Sequence, residues 1–318
     1  MMRQVAFPYL PKDFIETAEG LIFAVVSYQA QVGKVGCFLR YVRCGNDCRK
    51  VTTNEANALL LKSYPQYLYH SQQFDTDFHA VLPMSIVVHH RPEVRLQTLL
   101  HTEPSDELEQ KLHQLMAILV QGESHCDFIG LTGSMLLGQE TATSDIDLVI
   151  YGREAFHRVR ADVQQAVAQG MLSLLDDALM LDNFDRRAGE LGLEDFSWHE
   201  NRKFNKAVIQ GSKFDIGMVN LGSAVESELN QYQKQGHQTL RAKVIEDALA
   251  FDFPARYAID NDFISEVVVY THTYVGQAQI GEEIEVSGSV ERDIVTGKCR
   301  LIVGSSREAV GEYIKVSR

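Results

Sequence analysis

The spacing of apolar and polar residues changes character several times along this chain. Near the start, LIFAVVSYQ from Leu21 and KVGCFLRYV from Lys34 are dense in β-branched and aromatic residues, which suit the pleated surface of a strand. Gln31-Val32-Gly33 between them predicts a hairpin turn. Thr53 then caps a predicted helix through TNEANALLLKSY, and Pro65 ends it, because proline lacks the N–H that a helix interior needs. In AVLPMSIVV a strand is expected to begin only after Pro83. A polar stretch opens near Arg91-Pro92.

From Pro104 the period becomes helical. Leu108, Leu112, Leu115, Met116 and Leu119 fall on one face of DELEQKLHQLMAILVQG, with Ser105 as the expected N-cap and Gly122 near the stop. A strand over 127–131, a glycine-serine turn, a short helix through MLLGQ, a polar loop ETATS and a second apolar strand, DIDLVIYG, follow in succession. Helices are expected over 153–169 and around 202–209, the latter leading into a further strand, KFDIGMVN. Residues 226–234 read as a polar linker helix, with more helix after Gly236. Past Phe253-Pro254 the chain is strand-like in ISEVVVYTHTYV, QIGEEIEVSGSVE, KCRLIVGS and EYIKV, with Asp293 and Gly297 bracketing a turn.

These elements predict an α/β (α+β) protein in four parts: an N-terminal α/β region over 1–97, an α/β domain over 98–222, a helical linker over 223–250 and a small C-terminal β-barrel or sandwich over 251–318. A chain of 318 residues, 45% hydrophobic and 23% charged, is able to bury a sizeable core. No apolar run approaches the roughly 20 residues that a membrane-crossing helix needs. The five cysteines are odd in number and scattered, and MMRQVAFPYL lacks the pattern of a signal peptide, so a reducing cytoplasm without membrane attachment is expected. A net charge of −13 argues against a sequence-independent grip on long duplex DNA, which relies on many cations neutralising phosphates.

The chemistry concentrates in one stretch. Side chains alternate faces along a strand, so Asp145 and Asp147 project on one side, about 7 Å apart, and suit a hard cation. A pair of carboxylates in so apolar a strand is costly without cations or partners. Upstream, Gly133-Ser134 lies between an apolar strand and a short helix, where glycine lets backbone N–H groups approach a phosphate and the serine hydroxyl donates to it.

This combination resembles the DNA polymerase beta-like nucleotidyltransferase superfamily, whose pattern is a strand, Gly-Ser, a spacer and Asp-x-Asp on the next strand. Here G-L-T-G-S-M-L-L-G-Q-E-T-A-T-S-D-I-D-L-V-I leaves ten residues between Ser134 and Asp145. The likeness covers about a third of the chain, and it is specific because turn, spacing, acids and flanking strands occur together. It implies a polymerase beta-like core over 98–222, Mg²⁺ (or Mn²⁺) held by Asp145 and Asp147, and a nucleoside triphosphate donor, ATP by expectation, whose phosphates lie on Gly133 and Ser134; Ser144 is a helper at most, since serine before a strand is more often turn chemistry.

The resemblance also implies a third metal-binding carboxylate on a later strand. Asp215 in KFDIGMV is the candidate, whereas Asp176, Asp177, Asp182 and Asp185 sit in polar or helical surroundings. The implied reaction moves a nucleoside monophosphate to an acceptor with release of pyrophosphate. A small molecule, a protein side chain and an RNA 3′ end are the acceptor classes, the acidic charge weighing against a processive polymerase. The domain order is similar to that of predicted nucleotidyltransferases with a C-terminal β domain. A non-catalytic nucleotide-binding regulatory protein is the rival reading, and the intact Asp145, Asp147 and Ser134 argue against it. No Walker lysine motif or kinase catalytic loop supports a phosphotransferase.

Other clusters carry two readings each. Arg202-Lys203-Phe204-Asn205-Lys206 with Lys213 is locally basic, either meeting phosphate through Lys203 and Lys213 or forming a solvated helix face. Arg40, Tyr41, Arg43, Arg49 and Lys50 either recognise a nucleotide or an RNA end, or are plain surface. Cys44 and Cys48 with His89-His90 have a spacing that permits zinc without being diagnostic of it. Trp198-His199 shapes a pocket or packs. In the C-terminal region, Glu282, Glu283, Glu285 and Glu291 crowd one hairpin and argue against nucleic-acid binding there.

Overall fold

A computed structural model describes residues 8–120, 127–187, 189–221, 230–305 and 309–318. Among them are seven α-helices and three β-sheets, which makes this a mixed α+β protein. The chain divides into two compact units, one of Met1–Ser71, Thr76–Leu172 and Val208–Val225, the other of Gln72–Asp75, Ser173–Ala207 and Glu226–Arg318.

The first unit opens with strands β1 (Phe14–Thr17), β2 (Leu21–Gln31), β3 (Lys34–Cys44), β4 (Asp47–Lys50), β5 (Leu68–Ser71), β6 (Thr76–Val81) and β7 (Ile86–His90). They form one sheet in the order β5-β6-β3-β2-β1-β7, with β4 paired to β3. The predicted hairpin is present: Gln31 pairs with Lys34, and Val32 and Gly33 have φ of 50° and 76°, as the right-handed twist of a tight two-residue hairpin requires. As expected, β7 begins after Pro83. Helix α1 (Thr53–Ser63) ends before Pro65, but its cap lies one residue earlier than expected. Thr52 accepts from the Glu55 N–H, and the Glu55 carboxylate returns to the Thr52 N–H, so two otherwise unpaired donors are satisfied together. On one side Ile15, Phe23, Val35 and Leu39 pack with Ala56 and Leu60 of α1. Phe14, Ile22 and Tyr41 instead pack with Leu136.

Helices α2 (Pro92–Leu100) and α3 (Glu107–Leu119) come next, α3 burying Leu108, Leu112, Leu115, Met116 and Leu119 along the predicted face. Its cap is Asp106, whose side chain accepts from the Glu109 N–H, while Ser105 donates to the Glu109 carboxylate; the expected stop at Gly122 falls outside the described residues. Strand β8 (Ile129–Leu131), helix α4 (Gly133–Leu136), strand β9 (Ile146–Tyr151) and helix α5 (Arg153–Ala168) reproduce the expected succession. After α6 (Asp177–Arg187) and α7 (Leu193–Lys203), β10 (Lys206–Ile209) and β11 (Ser212–Val219) complete a four-stranded sheet in the order β10-β11-β9-β8. In it β9 is parallel to β11 and antiparallel to β8. The helix expected around 202–209 is corrected: α7 stops at Lys203, Phe204 is left-handed with φ 52°, and the chain extends from Lys206. All four residues of KAVI are buried, and a short continuous buried run of this kind suits a strand.

The second unit contains β12 (Tyr232–Glu246), β13 (Ala255–Ile259), β14 (Ile264–Val269), β15 (Glu283–Asp293), β16 (Cys299–Val303) and β17 (Tyr313–Val316). Their order is β12-β13-β14-β16-β15-β17, and β12 also pairs with β15, so five of the strands close into a ring. Tyr257, Val267, Val286 and Leu301 are fully buried, and Met180 of α6 and Phe196 of α7 join the same core. The helical linker expected over 226–234 and past Gly236 is corrected here. Residues 226–229 lie outside the described ones, and 232–246 are strand β12, paired with β15 from Tyr232 opposite Asp293 to Lys243 opposite Glu283. Residues 233–239 are exposed throughout, so no apolar alternation announces the strand; long-range pairing imposes it. Among the described residues no helix is long and apolar enough to cross a membrane.

Candidate active site

The turn from β8 into α4 is built on the backbone of β9. The Thr132 N–H donates to the Asp147 carbonyl at 2.9 Å, and the Thr132 hydroxyl donates to the Lys12 carbonyl at 2.8 Å. Gly133 follows with φ 69°, and a Cβ there would run into Oδ2 of the Asp147 carboxylate and lie 3.0 Å from its Cγ. Only glycine combines that backbone angle with so close an approach. Ser134, half-buried, accepts through its carbonyl from the N–H groups of Leu137 and Gln139 at 3.1 and 3.0 Å. Gln139 in turn accepts from the Cys48 N–H at 2.8 Å, so β4 braces the far side of the loop.

The acids come together through the parallel pairing of β9 and β11. Asp147 stands directly opposite Asp215 in register, and register partners on neighbouring strands, about 4.8 Å apart, share a face of the sheet. Asp145 immediately precedes β9, and its Oδ2 accepts from Lys213 Nζ at 2.8 Å. Lys213 lies two residues before Asp215, hence on the same face of β11, and is only 3% exposed. The structure therefore gathers Gly133, Ser134, Asp145, Asp147, Lys213 and Asp215 at one end of one sheet. It also gives Lys213 a partner that sequence reading did not, the carboxylate of Asp145.

Three carboxylates offer hard oxygen donors of the kind Mg²⁺ takes. Among the described residues, no group of three or more His, Cys, Asp or Glu side chains is drawn together tightly enough to hold a metal ion unaided. Asp145, Asp147 and Asp215 are thus near one another in the sheet without forming a closed metal-holding group in this structure. The glycine turn is pressed against the Asp147 carboxylate, which fills the space that a side chain at position 133 would need.

Two other expected site residues have partners of their own. The Ser144 hydroxyl accepts from the Thr141 N–H, and its own N–H donates to the Thr141 carbonyl, both at 2.9 Å, so it closes the ETATS loop as turn chemistry. Lys203 belongs to the second unit, and the solvated-face reading of its segment is overturned: it is 1% exposed, donating to Glu200 Oε1 and to the Thr273 carbonyl, each at 2.6 Å. Lys206 donates to Glu200 Oε2 at 2.5 Å. Burial alone would raise the Glu200 carboxyl, but the two ammonium groups outweigh it and hold the group well below the usual range. Burial pushes Lys203 down to about 8 against the pull of Glu200.

The zinc reading fails among the described residues: His89 bonds to Asp13 at 2.8 Å and His90 to Glu16 at 3.1 Å, with no metal-holding group formed. In the N-terminal basic cluster Arg43 pairs with Glu16, and Arg49 lies 3.3 Å from Glu55. Trp198 stacks beneath Arg202, and His199 bonds to the backbone of Asp195 and Val316, so both are packing residues of the second unit. Sequence reasoning missed Lys12 altogether and did not place Tyr41 near the acids. Burial raises the Tyr41 phenol, with Arg40 opposing and the Asp147 carboxylate adding to the rise. Nothing in local spacing ties residue 12 to residue 132; only the tertiary path of the chain does.

Fold and site thus define a mixed α+β protein that presents carboxylates from two adjacent parallel strands beside a glycine turn. The chain is 32% identical to the uncharacterized protein MJ1086 of Methanocaldococcus jannaschii over 335 aligned positions, covering 96% of this chain and 98% of that protein, and it belongs to the same family. No family model matches it. No solved structure matches it.

Proposed function

We propose that this protein is a Mg²⁺-dependent nucleotidyltransferase of the polymerase beta-like type, moving a nucleoside monophosphate from a nucleoside triphosphate to a hydroxyl of an acceptor with release of pyrophosphate. The observation that carries the reading is the register of Asp147 against Asp215 beside a glycine turn that admits no side chain next to Asp147. Asp145, Asp147 and Asp215 would hold the metal, with Mn²⁺ as a substitute. When bound, the ion neutralises phosphate charge and favours the deprotonated acceptor hydroxyl.

The protein's own groups position and hold. The Gly133-Ser134 turn takes the triphosphate through backbone N–H groups and the serine hydroxyl. Lys213 fixes the Asp145 carboxylate from within the sheet, so that acid keeps one orientation. Asp215, on the strand next to Asp147, would accept the proton of the attacking hydroxyl. No covalent nucleophile on the protein is required, because in-line attack depends on alignment and charge. The ring closed by β12 and β15 reads as a small β-barrel, a structural or acceptor-selecting module. A cytoplasmic setting accords with the free thiols of Cys37, Cys44, Cys48 and Cys299.

The test is incubation with each labelled nucleoside triphosphate, Mg²⁺ and cell extract, comparing the native protein with Asp145→Ala/Asp147→Ala. Labelling of a metabolite, protein or RNA by the native protein alone is the expected result and identifies the acceptor class. Labelling that survives the double substitution, or no nucleotide binding by either protein, overturns the proposal.

A further inference from the structure

Three observations bring Lys12 into the candidate site from the N-terminal region. Its backbone has φ 78°, uncommon for a residue with a side chain, and it is held there by its N–H donating to the Val25 carbonyl at 3.2 Å and its carbonyl accepting the Thr132 hydroxyl at 2.8 Å. Thr132 is the residue before Gly133, so the same bond fixes Lys12 to the glycine turn. The side chain then reaches β11: a Cβ on Gly217 would stand 3.6 Å from Lys12 Cε and 3.8 Å from Nζ. Side chains alternate along a strand, so position 217 shares its face with Lys213 and Asp215. A second ammonium therefore lies on the carboxylate face.

The two lysines differ in burial. Lys213 is buried against Asp145. Lys12 is half-buried, and its ammonium lies beside Gly217 of β11. Three carboxylates and one lysine leave the face net negative, and a polyphosphate approaching it meets repulsion unless further cations compensate. An ammonium is a compact point charge with three donors, suited to phosphate oxygens.

We propose that Lys12 is an anion-binding residue of this site, its ammonium taking phosphate oxygens of the bound nucleoside triphosphate. This rests on the nucleotidyltransferase reading above. The Thr132 bond then has a consequence: it holds the residue that binds phosphate through its side chain and the turn that binds it through its backbone in one unit.

The probe is an ATP analogue with a methylene between the α and β phosphorus atoms, bound in the presence of Mg²⁺ and measured by calorimetry on the full chain. Lys12→Gln and Lys12→Arg keep the same backbone demand, and their thermal midpoints are measured alongside. Lys12→Gln is expected to weaken binding roughly tenfold or more, and Lys12→Arg to stay within about threefold of the native protein, midpoints being equal. Equal affinity in Lys12→Gln, or a loss in both variants that follows a lowered midpoint, overturns the assignment while leaving the nucleotidyltransferase reading intact. No binding by the native protein overturns both.

Discussion

At the residue scale the site turns on small distances that allow little substitution. Gly133→Ala brings a Cβ into the Asp147 carboxylate and forces a side chain onto a left-handed backbone. Its expected cost is roughly 1–2 kcal/mol of stability from the backbone alone, with loss of nucleotide binding because Asp147 must move. Ser144→Ala leaves nucleotide affinity nearly unchanged, since that hydroxyl is engaged by Thr141. Equilibrium unfolding and analogue binding on the two variants separate these outcomes, and equal behaviour of the pair would contradict the geometry. Asp145, Asp147, Gly133 and Ser134 were legible in sequence because their relation is local, a turn followed by a strand. Lys12 was not, because its approach depends on a tertiary bond to Thr132. Lys203 carried two readings, phosphate contact or a solvated face, for a related reason: a basic run gives no sign of the Glu200 carboxylate and the Thr273 carbonyl that take its ammonium.

Elements put these residues in place. The parallel pairing of β9 with β11 sets Asp147 opposite Asp215, and a slip of one residue would turn the third acid to the other face. The α7–β10 junction depends on a buried ionic cluster, Glu200 with Lys203 and Lys206, and Asn183 also donates to Glu200 at 3.1 Å. Glu200→Ala leaves two buried ammonium groups without their carboxylate and is expected to destabilise the second unit by roughly 3 kcal/mol or more. Urea unfolding checks this, and a loss under about 1 kcal/mol would place the cluster in a wetter setting than the structure gives it. Helices with an apolar stripe, such as α3, and strands with apolar runs, such as β9, were readable from the sequence. The exposed half of β12 was not, since its conformation comes from pairing with β15.

Across the whole molecule, the two units interleave in sequence, Gln72–Asp75 and Ser173–Ala207 belonging with the C-terminal strands. No shift in composition marks such boundaries, so contiguous parts were all that the sequence suggested. Each unit contains a buried histidine bonded as the neutral ring. His79 Nδ1 accepts from the Leu39 N–H and Nε2 meets Asn57 Oδ1; His199 Nδ1 meets the Asp195 carbonyl and Nε2 accepts from the Val316 N–H. Burial pushes both down from 6.5 to about 4. As pH falls through 6.5 the unfolded chain takes up these protons while the folded one does not until about 4. Stability is therefore complete above about pH 6.5 and declines toward pH 4, by up to roughly 3 kcal/mol for each ring. Urea midpoints are expected to fall between pH 7 and pH 5, and a flat profile would contradict the neutral, buried assignment.

Attack at the α-phosphorus, and not the γ-phosphorus, is what separates nucleotidyl transfer from phosphoryl transfer. Parallel incubations with α-labelled and γ-labelled ATP, Mg²⁺ and extract test it directly. Nucleotidyl transfer puts the α label on the acceptor and the γ label in pyrophosphate, and Asp145→Ala/Asp147→Ala abolishes both. Transfer of the γ label to the acceptor, or α-label transfer that persists in the double variant, would contradict the account.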